Sequence, residues 1–279
     1  MYRLVFCDLD GTVATLDGKV RPVVREAMQA VVDAGAWITI STGRGYQTLR
    51  PFLSQVVVNA PLICCNGGLI VEPTTRQVLH VNPMPLSLAH DLVRLAQEEG
   101  LAIFVYLDDL ETTLDNCAGD LRFVLRRYGV AVRQVADPVA ELKRPPHKTI
   151  FVADSPQAAA HELVRVQRYV GDRAQVLASS PKIVEVITPG ITKARAMSWV
   201  SMHLGVDRAD TIAIGDGDND VEMMEWAALG VAMANATPAV QAAADRIAPS
   251  VEEDGVAVAL RQFVLRESPE VISPAEDDE

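Results

Sequence analysis

The chain has 279 residues, 49% of them hydrophobic and 22% charged, and carries a formal net charge of −12. That length supports one large domain or two modest ones with ample core, while the acidic balance excludes a nucleic-acid surface, which needs concentrated Lys and Arg to replace phosphate counterions. No apolar run approaches the roughly eighteen residues of a membrane span and no basic-then-apolar leader precedes the first strand, so the expectation is a cytoplasmic protein.

In chain order, Leu4-Val5-Phe6-Cys7 reads as a strand buried on both faces of a parallel sheet, and it ends abruptly in Asp8-Leu9-Asp10-Gly11-Thr12. Strand alternation puts the side chains of Asp8 and Asp10 on one side, where an open α/β sheet forms its ligand crevice. Two carboxylates that close repel, and the arrangement calls for a cation or a shared proton; the alternative is a helix cap or Asx-turn. Asp17-Gly18 signals a small hairpin flap, and Pro22 opens a helix whose stripe is Ala27, Met28, Val31 and Val32, stopped by Gly35. Trp37 to Ile40 is the second strand and runs into Ser41-Thr42-Gly43-Arg44. A helix follows at about Tyr46 to Leu53, then a third strand, Leu62 to Cys65, ending at Asn66-Gly67-Gly68. This alternation is the grammar of a doubly wound, Rossmann-like parallel sheet.

At Asn82-Pro83-Met84-Pro85 the character changes. A helix from Leu86 to Glu99, stopped by Gly100, leads to a strand at 101–106, a strand at 111–114 and a helix near 121–127. Ile150 to Val152 is another strand, Ser155-Pro156 caps and opens a helix, and strands at 174–178 and 182–187 close the segment. The expectation is an α+β insert at 84–187 within a core formed by 1–83 and 188–267, followed by a disordered tail at 268–279 with five acids and no base. From Thr188 the core grammar resumes: a helix from Lys193 to His203, a buried strand at 211–214 running into Gly215-Asp216-Gly217-Asp218-Asn219-Asp220, a short strand at 230–233, and helices at 238–244 and 256–264. The four cysteines, Cys7, Cys64, Cys65 and Cys117, show neither zinc spacing nor a disulfide framework and read as buried thiols.

Three strand ends thus carry polar loops, Asp8/Asp10, Ser41/Thr42/Gly43 and Asp216/Asn219/Asp220, with Lys193 at a helix start between the last two. If the strands are neighbours, their oxygen ligands hold a hard dication such as Mg2+. The Thr42 hydroxyl, glycine-turn N–H groups and the Lys193 ammonium suit phosphate oxygens, and a carboxylate nucleophile gives an aspartyl phosphate that water opens.

These four motifs, in this order, resemble those of the haloacid dehalogenase superfamily, and more narrowly its Cof-type hydrolases, in which a large α+β cap is inserted between the second and third motifs. Val221-Glu222-Met223-Met224, Ala232 to Ala236, Glu253 to Val256 and Cys65 to Gly68 match the same branch. The resemblance implies that Asp8 is nucleophile and metal ligand, and Asp10 general acid/base, ligating through its backbone carbonyl. It further implies that Asp216 is the remaining protein ligand to Mg2+, that Thr42, Gly43, Lys193 and Asn219 hold the phosphoryl group, and that Asp220 supports the metal waters or Lys193. Ser41 stands where alanine is commoner and Ala194 where glycine is usual; neither alters a reacting group.

The function expected on this basis is Mg2+-dependent hydrolysis of small phosphorylated metabolites, sugar phosphates leading. The alternatives are a phosphomutase or phosphotransferase using the same site, a phospho-aspartate receiver, or a non-catalytic binding module. Arg44 is read either as a substrate clamp or as a surface partner for an acid, Asp218 as facing solvent, and Met223-Met224 as core. The basic stretch Lys143-Arg144-Pro145-Pro146-His147-Lys148 is read as a solvated turn in preference to a substrate contact. Nothing in the chain fixes an oligomeric state.

Overall fold

The computed structural model describes residues 2–107, 113–115, 132–180 and 182–267. The helix expected near 121–127 and the acidic tail at 268–279 lie outside the described residues, as does Cys117. The chain divides into two compact units, one built from residues up to Thr39, Gln55–Asn59 and the chain from Ser201 onward, the other from Ile40–Ser54 and Ala60–Val200.

The first unit is organised on a five-stranded sheet. Its strands are β1 (Leu4–Cys7), β2 (Trp37–Ile40), β12 (Thr211–Gly215), β13 (Leu229–Met233) and β14 (Arg246–Ala248), in the order β14-β13-β12-β1-β2. β1 pairs in parallel with β12, Leu4 opposite Thr211 and Cys7 opposite Ile214, and β12 in turn with β13. Leu4, Val5, Phe6 and Cys7 are fully buried, as are Ile212, Ala213 and Ile214, because helices cover both faces of such a sheet. The Pro22–Asp33 helix buries Val24, Ala27, Met28 and Val31 and packs on the Gly255–Ala259 helix. Gly35, at φ +82°, turns the chain out of it as expected. The expected flap is a tight loop: Thr15 N–H donates to the Lys19 carbonyl, and Gly18 takes φ +80°.

The second unit holds two sheets. One is six-stranded, order β10-β11-β9-β6-β7-β8, from β6 (Ala102–Tyr106), β7 (Thr113–Asp115), β8 (Val132–Gln134), β9 (Lys148–Val152), β10 (Gln175–Ser180) and β11 (Ile183–Ile187). Residues 84–187 lie within this unit. One face of the sheet presents Ile103, Val105, Phe151, Val184 and Val186 to the Leu86–Glu99 and Pro156–Val170 helices, which bring Leu88, Leu92, Val93, Val166 and Val170 into a single core. The opposite face carries Phe104, Tyr106, Ile150 and Ile183, and by strand alternation also Lys148 and Glu185. Helix boundaries follow local chemistry: the Ser155 side chain accepts from Ala158 N–H at 3.1 Å, and Gly100 ends its helix at φ +67°.

The other sheet departs from expectation. β3 (Leu62–Cys64), β4 (Leu69–Val71) and β5 (Val78–Val81) form an antiparallel meander, and only a single parallel bridge, Ser41 to Ile63, continues the doubly wound pattern. The cause is local: Cys65 and Asn66 both take positive φ, +52° and +55°, and fold the chain back on itself after three strand residues. Among the described residues, no helix is long and apolar enough to cross a membrane.

Candidate active site

In the first unit the carboxyl ends of β1 and β12 lie side by side, and the ladder runs one residue beyond β1, Asp8 N–H donating to the Ile214 carbonyl at 2.9 Å. Asp8 is buried, 7% exposed, and Asp10 half-buried. Between them and Thr12 the chain turns through Gly11 at φ +83°, a conformation costly for any residue with a side chain. The turn aims the Thr12 hydroxyl at Asp216 Oδ1, 2.7 Å away. Asn235 straddles the same place, its Nδ2 donating to the Gly11 carbonyl at 2.9 Å and reaching Asp216 Oδ2 at 3.4 Å, while its Oδ1 accepts from Val251 N–H.

Asp220 is fully buried and folds back on its own loop, Oδ2 accepting from the backbone N–H groups of Asp216 and Gly217 at 3.0 and 3.1 Å. Gly215 makes that possible: a Cβ there would lie 2.5 Å from Asp220 Oδ2. Asp218 and Asn219 are exposed, and Asp218 accepts from the Thr237 hydroxyl at 2.6 Å.

One carboxylate oxygen each from Asp8, Asp216 and Asp220 lies within 4.8 Å of the others. Three like charges so placed, two of them withdrawn from water, repel strongly unless a cation compensates. All three donors are hard oxygen atoms, the set that favours Mg2+ over zinc or copper. The neighbouring thiol does not compete: burial, and then the Asp8 charge, push Cys7 far above its ordinary value, so it stays protonated.

The second unit holds the remaining sequence-derived candidates. Thr42 is buried and its Oγ1 accepts from Arg44 N–H at 3.1 Å; Asn66 N–H returns to the Thr42 carbonyl at 3.0 Å. Arg44 is itself buried, its guanidinium over the Phe52 ring at 4.6 Å and on the Thr48 carbonyl at 3.2 Å. Gly67, at φ +101°, lets the 65–68 loop approach the helix that Lys193 opens, since a Cβ would sit 2.4 Å from the Thr192 carbonyl oxygen. Lys193 is 1% exposed. Asp8, Asp216 and Asp220 are therefore gathered in one unit, and Thr42, Gly43 and the Lys193 helix start are gathered in the other through the 65–68 loop.

Lys143, Arg144 and Pro145 are exposed, in line with the reading of their stretch as a solvated turn, but Pro146, His147 and Lys148 are buried and depart from it. The Lys148 Nζ bonds Glu185 Oε1 at 2.8 Å and the Gly43 carbonyl at 2.9 Å, both charged side chains being under 8% exposed. Sequence reasoning also passed over Asn235 and Asn66 as individual contributors; nothing short of the fold pairs them with their partners, although Asn in a left-handed position is a known turn signal.

A family model described as haloacid dehalogenase-like hydrolase matches residues 5–260. An HMP-PP phosphatase of Yersinia enterocolitica is 29% identical over 268 residues, covering 95% of this chain and 96% of that one. The 5-amino-6-(5-phospho-D-ribitylamino)uracil phosphatase YitU of Bacillus subtilis is 27% identical over 275 residues, covering 93% and 97%. A solved haloacid dehalogenase-like hydrolase from Bacteroides thetaiotaomicron superposes with TM-score 0.86 at 26% identity, over 94% of this chain and 99% of that one.

Proposed function

Because the chain belongs to the family of haloacid dehalogenase-like hydrolases, we propose that it is a Mg2+-dependent phosphatase of small phosphorylated metabolites, sugar phosphates first among them. The observation that carries this reading is the trio of carboxylates Asp8, Asp216 and Asp220 at adjacent strand ends, one oxygen of each within 4.8 Å of the others, with Thr12 donating to Asp216 and two backbone N–H groups to Asp220. Such a cluster is preorganised for a cation and for an anionic substrate bound through it.

In this reading Asp8 attacks phosphorus: a bond forms between its carboxylate oxygen and phosphorus, the ester P–O bond breaks, and Asp10 gives a proton to the departing oxygen. Asp10 then takes a proton from water as that water attacks phosphorus, freeing orthophosphate and returning Asp8 to its carboxylate. Acid–base assistance of this kind is worth about 10²–10⁴-fold. Asp8, Asp216 and the Asp10 backbone carbonyl, with Asp220 in support, would hold Mg2+, which supplies charge neutralisation at the phosphoryl oxygens. Thr42 through its hydroxyl, Gly43 through its N–H, Lys193 and Asn219 bind those oxygens. Residues 84–187 act as the cap that selects the leaving group for a core of 1–83 and 188–267. The buried free thiols of Cys7, Cys64 and Cys65 are in keeping with work in the cytoplasm.

The test is release of orthophosphate from p-nitrophenyl phosphate in Mg2+. Activity is expected to vanish with EDTA and return on adding Mg2+; turnover indifferent to chelation rejects the metal assignment. Across a panel of phosphorylated sugars, nucleotides, phosphoglycolate and pyridoxal phosphate, kcat/KM is expected to be highest for a sugar phosphate.

A further inference from the structure

A buried ion pair outside the acid cluster reaches the loop that carries Thr42. Lys148 on β9 and Glu185 on β11 are diagonal neighbours on one face of the six-stranded sheet, joined at 2.8 Å. The same Nζ donates to the Gly43 carbonyl at 2.9 Å, and the N–H at the other end of that peptide unit, Arg44 N–H, donates to Thr42 Oγ1 at 3.1 Å. A trans peptide is planar with its C=O and N–H opposed, so fixing the carbonyl fixes the direction of the N–H.

We propose that Lys148 and Glu185 are positioning residues for the Thr42 hydroxyl, acting through the Gly43–Arg44 peptide. The inference rests on the phosphatase reading, in which that hydroxyl binds a phosphoryl oxygen. A hydroxyl has one proton and two lone pairs; by accepting from Arg44 N–H, Thr42 fills one lone pair and keeps its own proton to donate. An ammonium on the carbonyl polarises the amide and strengthens its N–H as a donor, so the chain of bonds is cooperative. Burial, the largest single influence, works against the Lys148 charge, but Glu185, Cys65 and Tyr106 together outweigh it and hold the ammonium protonated. The bracket is closed on the loop side by Asn66, whose Nδ2 lies 3.5 Å from Glu185 Oε2 and whose Oδ1 would be 3.1 Å from any Cβ on Gly43.

The experiment is a double-mutant cycle on aryl phosphate hydrolysis, with Lys148→Met/Glu185→Gln, which leaves no lone buried charge, made in Thr42 and Thr42→Val backgrounds. In the Thr42 background kcat is expected to fall about 10- to 100-fold, the size of effect a slight misplacement of a binding group produces. In Thr42→Val the same change should cost under about twofold, because the hydroxyl it serves is already gone. Equal losses in both backgrounds overturn the proposal. Arg44 amide hydrogen exchange gives a readout independent of turnover: it should quicken in the paired variant, and unchanged protection also overturns the proposal. A wild-type protein inert toward phosphate esters refutes the phosphatase reading, while the amide measurement still decides whether the bracket exists. If the paired variant does not fold, Glu185→Gln alone carries both comparisons.

Discussion

The two charged clusters of this molecule are built on opposite plans. At the ends of β1 and β12, three carboxylates crowd together, steadied by Thr12, Asn235 and two backbone N–H groups. On the six-stranded sheet, Lys148 and Glu185 neutralise each other and spend their remaining capacity on a loop carbonyl. The first cluster gathers like charges, an arrangement suited to a cation; the second pairs opposite charges and is complete, and therefore suited to hold something still. Buried like charges are costly to maintain, and their presence marks a site more strongly than a buried salt bridge does.

The contrast can be broken most forcefully at Asp8. Asp8→Asn removes the proposed nucleophile and one of three like charges, so kcat on p-nitrophenyl phosphate should fall at least about 10⁴-fold while the fold is kept. Undiminished turnover in that variant would remove Asp8 from the mechanism.

Next in size is Gly11→Ala. The backbone there is at φ +83° and the new Cβ would lie 2.3 Å from Asp216 Oδ2, so both stability and the acid geometry should suffer, by about 1–3 kcal/mol in urea unfolding with a clear loss of kcat. Gly35→Ala is the matched control: its φ is +82° but nothing lies within 4 Å, so it should lose stability and keep its activity. Equal kinetics in the two variants would show that the acid cluster tolerates displacement.

The smallest effect belongs to the completed cluster. Lys148 is held above its ordinary value of 10.5, so its contribution to stability is present in full below about that pH and is lost as pH rises through the higher folded value. The difference in urea midpoint between wild type and Lys148→Met/Glu185→Gln should therefore be flat from pH 8 to 10 and change above it, moving against the wild type. A difference constant to pH 11.5 contradicts this account.

Much of the scaffold was legible from the sequence because its signals are local. Gly100 stops its helix at positive φ, Ser155 caps its own, and the β1 run is apolar throughout because both its faces are covered. The Asp8 and Asp216 loops were legible because strand ends in a parallel sheet converge. Three features were not. The strands at 69–71, 78–81 and 246–248 are too short to show a period, and the last is an edge strand with only Ala248 buried. The expected final helix is α-helical only over Gly255–Ala259 and widens into a π-turn at Leu260–Leu265, which no spacing rule distinguishes from its neighbour. Lys148 was taken for a surface cation because the charge that lets it be buried sits 37 residues further along the chain.

The strand order has a consequence in time. β1 has one neighbour from residues 37–40, but its other, β12, begins at Thr211, so during translation the apolar Leu4–Cys7 edge waits for about two hundred residues to emerge. At ribosomal speeds of about 5–20 residues per second that interval is on the order of ten to forty seconds. Throughout it the edge is open to wrong pairing, and Asp8 has neither Asp216 nor Asp220 beside it. Assembly of the three-carboxylate cluster in the nascent chain is accordingly deferred until Asp216 and Asp220 have emerged.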